Sequence, residues 1–459
     1  MPYSGQTISL DSEDETIAEV FRRRSAAWAA RTGALVERKP GDAADIVILR
    51  PGDLGRWVAR GTVPVPDDLR NSAHSLQWSR CLSVWSERLA GWGGTIHAIP
   101  LAGESYVLAY RTDRFAEAAK RWNRPVVPPA SWEDYADLAA RFASDGVPSL
   151  PAASKDADRT LREFHLIAAC YDRLAMSATD FAMIKQAGKG TDLTVSQMGF
   201  HHDTDTGESR LMAPAFRAAA QWLRQTATAR PQPSAPNATD AVAALADGKS
   251  AMAILSLAEL GRLPKTEGAL PRELDVAPLP GTKVWFDAAG KSYPPADKVA
   301  GINYVPYFGT AGWLAIVRPT ATNPDTCFEL IAELSGLERS TELLSDPTLG
   351  FGPFRTEHLD PSRDAIWQRY GFDAERSRKL ALAVRRQIGA GLAFPAIGLR
   401  GPDRQTLLDM LSKHLSPAIE GRADAIESLQ SADAAWRAED AKRPKEPLKT
   451  ERRQAAGLR

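Results

Sequence analysis

Residues 100–105 read P-L-A-G-E-S and set a carboxylate, Glu104, beside a hydroxyl, Ser105, between two β-type runs at 95–99 and 106–110. A carboxylate accepts hydrogen bonds and a hydroxyl both donates and accepts, so the pair suits a ligand rich in hydroxyl groups. Ligands of open α/β sheets collect just beyond strand ends, where such a turn would sit. Glu13 and Asp14 follow an earlier run at 6–10 in the same way. Two carboxylates such as Glu13 and Glu104 have the chemistry to act as acid and base on a glycosidic bond. Accepting hydrogen bonds from ligand hydroxyls asks less of their geometry and is the preferred reading. His201-His202 with Asp203 and Asp205 supplies metal-ligand types, yet F-H-H-D-T-D-T-G-E reads more simply as an acidic turn between helical segments. The chain has seven His, thinly spread, and lacks a phosphate-binding glycine loop, a G-x-S-x-G elbow and an H-E-x-x-H pair. No catalytic residue, metal ligand or cofactor is therefore assigned.

The elements that must hold these residues alternate between strand and helix. After 6–10, Asp11 to Glu15 offer an N-cap and acids suited to a helix start, with Ile17, Val20, Phe21 and Trp28 on one face. Thr32-Gly33 ends that helix, and strands follow at 34–38 and 45–49. The latter, D-I-V-I-L, has the all-apolar interior of a strand covered on both faces. A short helix at 53–60 turns Leu54, Trp57 and Val58 inward. Ser131 caps a helix whose stripe is Trp132, Tyr135, Leu138, Ala139 and Phe142. A helix at 213–226 precedes R-P-Q-P-S-A-P-N, read as a plain loop. A helix at 241–246 leads to a strand at 251–255, and 275–280 is a further short strand. A long loop rich in Gly, Pro and Tyr then reaches a strand at 312–317, and such loops are usually functional. Pro324 opens another helix in its first turn, and the last hundred residues read as helical. Strand-helix alternation makes the class α/β.

With 459 residues the chain exceeds what one hydrophobic core supports, so two lobes are expected. Lys+Arg and Asp+Glu are both 57, which leaves no bulk field to draw nucleic acid or an anionic membrane. Twelve Trp offer flat faces for stacking. Cys81, Cys170 and Cys327 show no C-x-x-C spacing and are read as buried thiols. No apolar run approaches the length of a membrane span, so no transmembrane segment is expected. Residues 1–20 are acidic and lack the basic start and apolar stretch of an export leader, so a leader has been removed or the protein stays inside the cell.

Several stretches in this order resemble the bacterial extracellular solute-binding proteins of the sugar-binding class. T-I-H-A-I-P-L-A-G-E-S-Y-V-L-A-Y-R-T-D-R-F at 95–115 resembles the segment in which a strand crosses between lobes. P-P-A-S-W-E-D-Y resembles the helix start that follows, D-G-K-S-A-M-A-I the Gly-Lys-x-Ala-Met stretch, and D-V-A-P-L-P-G the Pro-Leu-Pro-Gly strand end. F-G-T-A-G-W-L-A-I-V with N-P-D-T-C-F-E-L-I, then G-F-G-P-F-R-T, resemble the later Trp strand, its Asn-Pro helix and the Pro-x-Arg turn. Ser256-Leu257-Ala258 stands where the family often has Gly-Pro-Trp, so one customary stacking ring is missing.

The resemblance implies a two-lobe, type II periplasmic-binding fold with mixed sheets flanked by helices and a ligand cleft between the lobes. Residues 1–111 with 313–355 are expected to form one lobe, 112–312 with 356–440 the other, and 441–459 a basic, solvated tail. Carried over residue by residue, Glu104 and Ser105 take a polar contact, Trp313 an aromatic one, and Arg355 the Pro-x-Arg position. Glu13, Asp14, Arg50 and Asp53 lie in loops expected to face the cleft. Trp285, Tyr304 and Tyr307 are candidate stacking rings on physical grounds. The implied function is non-catalytic binding of a mono- or oligosaccharide and its delivery to permease subunits of an ABC-type importer. The expected protein is a monomer working in the periplasm or outside the cytoplasm. A glycan-acting enzyme using the cleft carboxylates, or a sensor built on the same fold, are the alternatives.

Overall fold

Two sheets carry the molecule, built from β1 (Thr7–Ser12), β2 (Leu35–Arg38), β3 (Ile46–Leu49), β4 (Ile99–Ala102), β5 (Tyr106–Arg111), β6 (Met252–Ser256), β7 (Leu274–Ala277) and β8 (Trp313–Val317). They are seen in a computed structural model that describes residues 2–71, 75–147, 157–175, 199–230, 241–287, 289–295, 301–309, 311–388 and 395–458. The first sheet runs β2-β1-β3-β8-β4, with β1 parallel to β2 and β3, and β8 antiparallel to β3 and β4. The second runs β6-β5-β7, with both pairings antiparallel.

Local chemistry places these elements. Asp14 caps the helix Glu15–Arg24 by accepting from the backbone N–H groups of Thr16 and Ile17, and Gly33 closes the following helix, Ala26–Thr32, at φ +79°. The single helix expected from 15 to 32 is thus two, broken at Ser25, whose hydroxyl donates to the Arg22 carbonyl. Register at β1 is pinned by Ser9, whose backbone N–H and hydroxyl both donate to the Asp45 carboxylate. All four residues of β3 are buried. One face, with Ile46 and Ile48, packs on Ile17, Phe21 and Phe328. The other, with Val47 and Leu49, meets Leu54, Trp57 and Trp85. Ser131 caps Trp132–Ser144 as expected, and Pro324 opens Pro324–Ser335.

The apolar core continues from one sheet to the other. Val107, Ala109, Ala253 and Leu255 of the second sheet belong to the same buried cluster as Val47, Leu49, Leu314 and Ile316 of the first. Trp85 sits in that cluster and meets Phe308 edge-on, with ring centroids 6.2 Å apart. The second sheet's opposite face, with Leu108, Met252 and Ile254, packs on Phe115, Tyr135, Phe142 and Phe164.

Three expectations are corrected. The first β-run of the 95–115 stretch is two strands, Thr95–Ile96 and β4, so Pro100, Leu101 and Ala102 belong to a strand and only 103–105 link it to β5. β4 ends the first sheet and β5 is the centre of the second, so 106–111 does not sit in the same sheet as β1–β4 within 1–111. Finally, the C-terminal residues form a helix, Lys445–Ala455, with Leu448 and Arg452 buried. Charge content suggested a solvated tail, but Arg452 pairs with Asp440 and Arg443 with Glu451, so the cations are spent on docking. The loop expected at 230–237 lies almost wholly outside the described residues.

Candidate functional site

Where β4 leaves the first sheet and β5 enters the second, the chain passes through Gly103, Glu104 and Ser105. Gly103 bridges to Gly352, and a Cβ on Gly103 would lie 2.1 Å from the Pro353 carbonyl oxygen, so no larger residue fits this crossing. A second crossing returns through Gly309, Ala311 and Gly312 into β8. Both Glu104 oxygens serve this return: one accepts from Gly309 N–H, the other from Ala311 N–H at 2.8 Å and from the Tyr106 hydroxyl at 3.2 Å. Glu104 is thus a tie between the two crossings.

A cavity of about 610 Å³ opens beside these crossings. The first sheet's side contributes Asp14, Thr16 and Ile17 at a helix start, Arg50 after β3, and Trp313 at the head of β8. The second side contributes Tyr106, Arg162, Ser256, Ala258, Glu259 and Arg262. Thr348, Leu349, Gly350 and Phe351 close the rim. There the two sides touch, since a Cβ on Gly350 would fall 2.0 Å from Ala258 Cα, and Gly350 has φ +61°.

Its electrostatics are set by pairs that span distant parts of the chain. Arg162 donates to Glu259 at 2.6 Å and to the Ile254 carbonyl at 3.3 Å, with its guanidinium 5.1 Å above the Tyr106 ring. Glu259 also accepts from Ser256 N–H and completes a capping box with Ser256 at the start of Leu257–Gly261. That box occupies the place of the missing stacking ring. Arg50 lies 4.9 Å over the Trp313 ring. Ser105 is 2% exposed and its hydroxyl has no partner within the protein. A buried hydroxyl without a partner costs free energy that a ligand or water would recover.

Of the residues singled out from sequence, Asp14, Arg50, Glu104, Ser105 and Trp313 line this cavity. The others do not. Glu13 is exposed and pairs with Arg56. Asp53 is turned toward Arg404, and burial raises its carboxyl above the usual range. Trp285 stacks on Tyr293 at 5.1 Å within a small hairpin. Tyr304 packs against the second side's core, with the Arg386 guanidinium 5.8 Å from its ring. Tyr307 is buried on His165, ring centroids 4.8 Å apart. Arg355 is fully buried and donates to the carbonyls of Leu76 and Ser335, so it braces the first lobe instead of facing a ligand. Arg162, Glu259 and Arg262 were missed by sequence reasoning. A signal existed at Ser256 and Glu259, whose S-x-x-E spacing is that of a capping box.

His201 and His202 do flank a turn, in which the Asp203 carboxylate accepts from the N–H groups of Asp205 and Thr206. Their rings are buried, His201 against His165 and His202 on Trp436. Among the described residues no group of three or more His, Cys, Asp or Glu is arranged to hold a metal ion. Cys81, Cys170 and Cys327 are free and buried. Among the described residues no helix is long and apolar enough to cross a membrane.

A family model described as bacterial extracellular solute-binding protein matches residues 21–371. No curated protein matches the sequence. Among solved structures, an ABC transporter solute-binding protein from Agrobacterium radiobacter K84, in complex with ribitol, superposes with a TM-score of 0.65 at 16% identity, covering 95% of this chain and 99% of that one. The sugar-binding protein MalE from Xanthomonas citri gives 0.63 at 15% identity, covering 98% of both chains. The cyclic alpha-maltosyl-1,6-maltose binding protein of Arthrobacter globiformis gives 0.64 at 15% identity over 94% of this chain and 98% of that one. At such identities the likeness is one of fold: two α/β lobes of the type II periplasmic-binding kind.

Proposed function

Because the chain belongs to the bacterial extracellular solute-binding proteins, we propose that its interlobe cavity captures a carbohydrate outside the cytoplasm and hands it to the permease subunits of an ABC-type importer. A member of this family binds and does not catalyse. The observation that carries the reading is the cavity itself, lined from both sheets at their strand ends and holding a buried, unpartnered Ser105 hydroxyl. Sugar and polyol binders among proteins of the same fold support the ligand class.

In this reading the protein acts as a monomer. The ligand's hydroxyls meet Ser105, Thr16 and Ser256, and its edge meets Trp313. Closure about the crossings at 103–105 and at Gly309, Ala311 and Gly312 is stabilised by contacts that exist only when both sides reach the ligand. The carboxylates first considered as an acid–base pair serve elsewhere: Glu13 holds Arg56 and Glu104 holds the return crossing.

A thermal-shift screen against mono- and oligosaccharides and polyols, with polyamines and metal salts as controls, tests the reading. A ligand that binds only the native state raises the melting temperature, by an amount set by about RT ln(1 + [L]/Kd). The expected outcome is a shift with at least one carbohydrate and none with the controls. A shift confined to polyamines or metals would refute it.

A further inference from the structure

One end of the cavity is walled by main chain. On the second side the wall is the helix Leu257–Gly261, which follows β6. On the first it is residues 346–352, which follow the helix Leu337–Leu344. A Cβ on Gly261 would lie 1.8 Å from the Pro347 carbonyl oxygen, and one on Gly350 would lie 2.0 Å from Ala258 Cα. At the first crossing, a Cβ on Gly352 would lie 2.6 Å from the Glu104 carbonyl carbon. No side chain stands between the backbones at these places, so none can swing aside to leave a gap. Ala258 permits the approach because it is small, and Gly350 fills the space that a ring at 258 would take. Behind the wall, Leu257 and Leu260 share one buried cluster with Leu344 and Phe354. Parting the sides here would expose that cluster to water, which the hydrophobic effect opposes. The wall adjoins the first crossing, so closure turns about it.

The lining also lacks open ring faces on which successive sugars of a chain could stack. Its three rings, Trp313, Tyr106 and Phe351, are only 7%, 3% and 4% exposed. Phe351 is used internally, stacked on Phe21 with centroids 6.1 Å apart and planes 11° apart. Stacking on rings is a large, repeatable contribution for each added unit, and here it has no platform. The volume of about 610 Å³ lies in the middle of the range of sites that enclose one small molecule.

Resting on the carbohydrate reading above, we propose that the site takes a short carbohydrate of one or two sugar units, held by its hydroxyls with one end against this wall. Further units add no affinity. A chain running out past the wall would have to pass where Ala258 meets Gly350, and one leaving by the opposite edge finds no further ring to hold it.

Calorimetric titration with homologous series of glucose and xylose oligomers, from the monosaccharide to the pentasaccharide, tests this, together with the monosaccharides and polyols of the thermal-shift panel. Affinity is expected to peak at one or two units and to stay level or fall beyond. Affinity that keeps rising about fivefold or more per unit from two to five would overturn the inference and leave the carbohydrate reading standing. Binding by no carbohydrate of any length would overturn both. Gly261→Ala, whose methyl must push Pro347 back, should weaken binding of the tightest short ligand about tenfold. Gly268→Ala, where a Cβ would meet nothing within 4 Å, should leave it unchanged. Wild-type affinity in folded Gly261→Ala would overturn the wall's role, and the length series decides the matter if that variant does not fold.

Discussion

Arg162 and Arg400 each join parts of the chain that lie far apart in sequence, and they do so in opposite manners. Arg162 lines the cavity, is held by one carboxylate and a carbonyl, and rests on a ring. Arg400 is 2% exposed and donates to four carbonyls: Arg88, Leu89 and Gly91 on the first lobe's side, and Ala455 on the C-terminal helix. That region is further sewn together by Trp92, which donates to Gln454, and by Arg452, which pairs with Asp440. The difference teaches where motion is permitted. A clamp on several backbone carbonyls has one geometry, whereas a side-chain pair stacked on a ring can swing and still keep its partner. In the proposed reading the C-terminal side stays fixed and the cavity side adapts to a ligand.

Acid attacks this contrast most strongly. Burial pushes His165 down to about 3, and holds His201 and His202 well below their ordinary range, with Arg404, Arg210, Arg173 and Arg452 adding repulsion. A histidine whose pKa is depressed on folding contributes stability that is complete above its unfolded value, about 6.5, and is lost as pH falls toward the folded value. Protonation of these rings is opposed in the folded state, so stability is lost progressively as pH falls below about 6.5. Melting temperature measured against pH should therefore drop steeply on the acid side, and His165→Phe should flatten the slope. A flat profile from pH 7 to about 4 would contradict the burial of these rings.

Arg400→Leu comes next. It leaves carbonyls of Arg88, Leu89, Gly91 and Ala455 short of a donor, for an expected loss of about 3 kcal/mol or more in chemical denaturation. Ligand affinity of the folded fraction should be unchanged. Ser105→Ala has the smallest effect and the opposite pattern. Removing a hydroxyl with no internal partner should leave the melting temperature within a degree or two, while affinity falls about fivefold, near 1 kcal/mol. If Ser105→Ala destabilised the apoprotein as much as Arg400→Leu, the two regions would not differ in the way described.

Much of the frame was legible because it rests on local chemistry. Asp14, Ser131 and Asn323-Pro324 announce helix starts through groups a few residues apart, and D-I-V-I-L declares a strand covered on both faces. The order of several short motifs announced the lobes. The cavity-lining set was half legible: Asp14, Arg50, Glu104 and Ser105 follow strand ends, where topology places ligands, and Trp313 opens a strand. Arg162 was not, since its partners Glu259 and Tyr106 are brought to it only by the second sheet. Arg355 was misread for the converse reason. Its turn has the expected wording, yet Leu76 and Ser335, which bury it, lie elsewhere in sequence. Trp285, Tyr304 and Tyr307 carry the right chemistry for stacking, but large rings are equally suited to cores, and sequence alone does not choose. The C-terminal helix was obscured by its charge, because ion pairs that dock a helix look the same in sequence as charges that solvate a tail.

The central claim is that the space between the sheets, and not any other cavity, receives the ligand. A crystal structure of the protein with the carbohydrate giving the largest thermal shift tests it most directly. The account predicts the sugar enclosed between Trp313 and Arg50 on one side and Arg162, Ser256 and Tyr106 on the other, with a ligand oxygen hydrogen-bonded to Ser105 Oγ. A sugar bound beside His201 and Arg400, with the Ser105 cavity unoccupied, would contradict it.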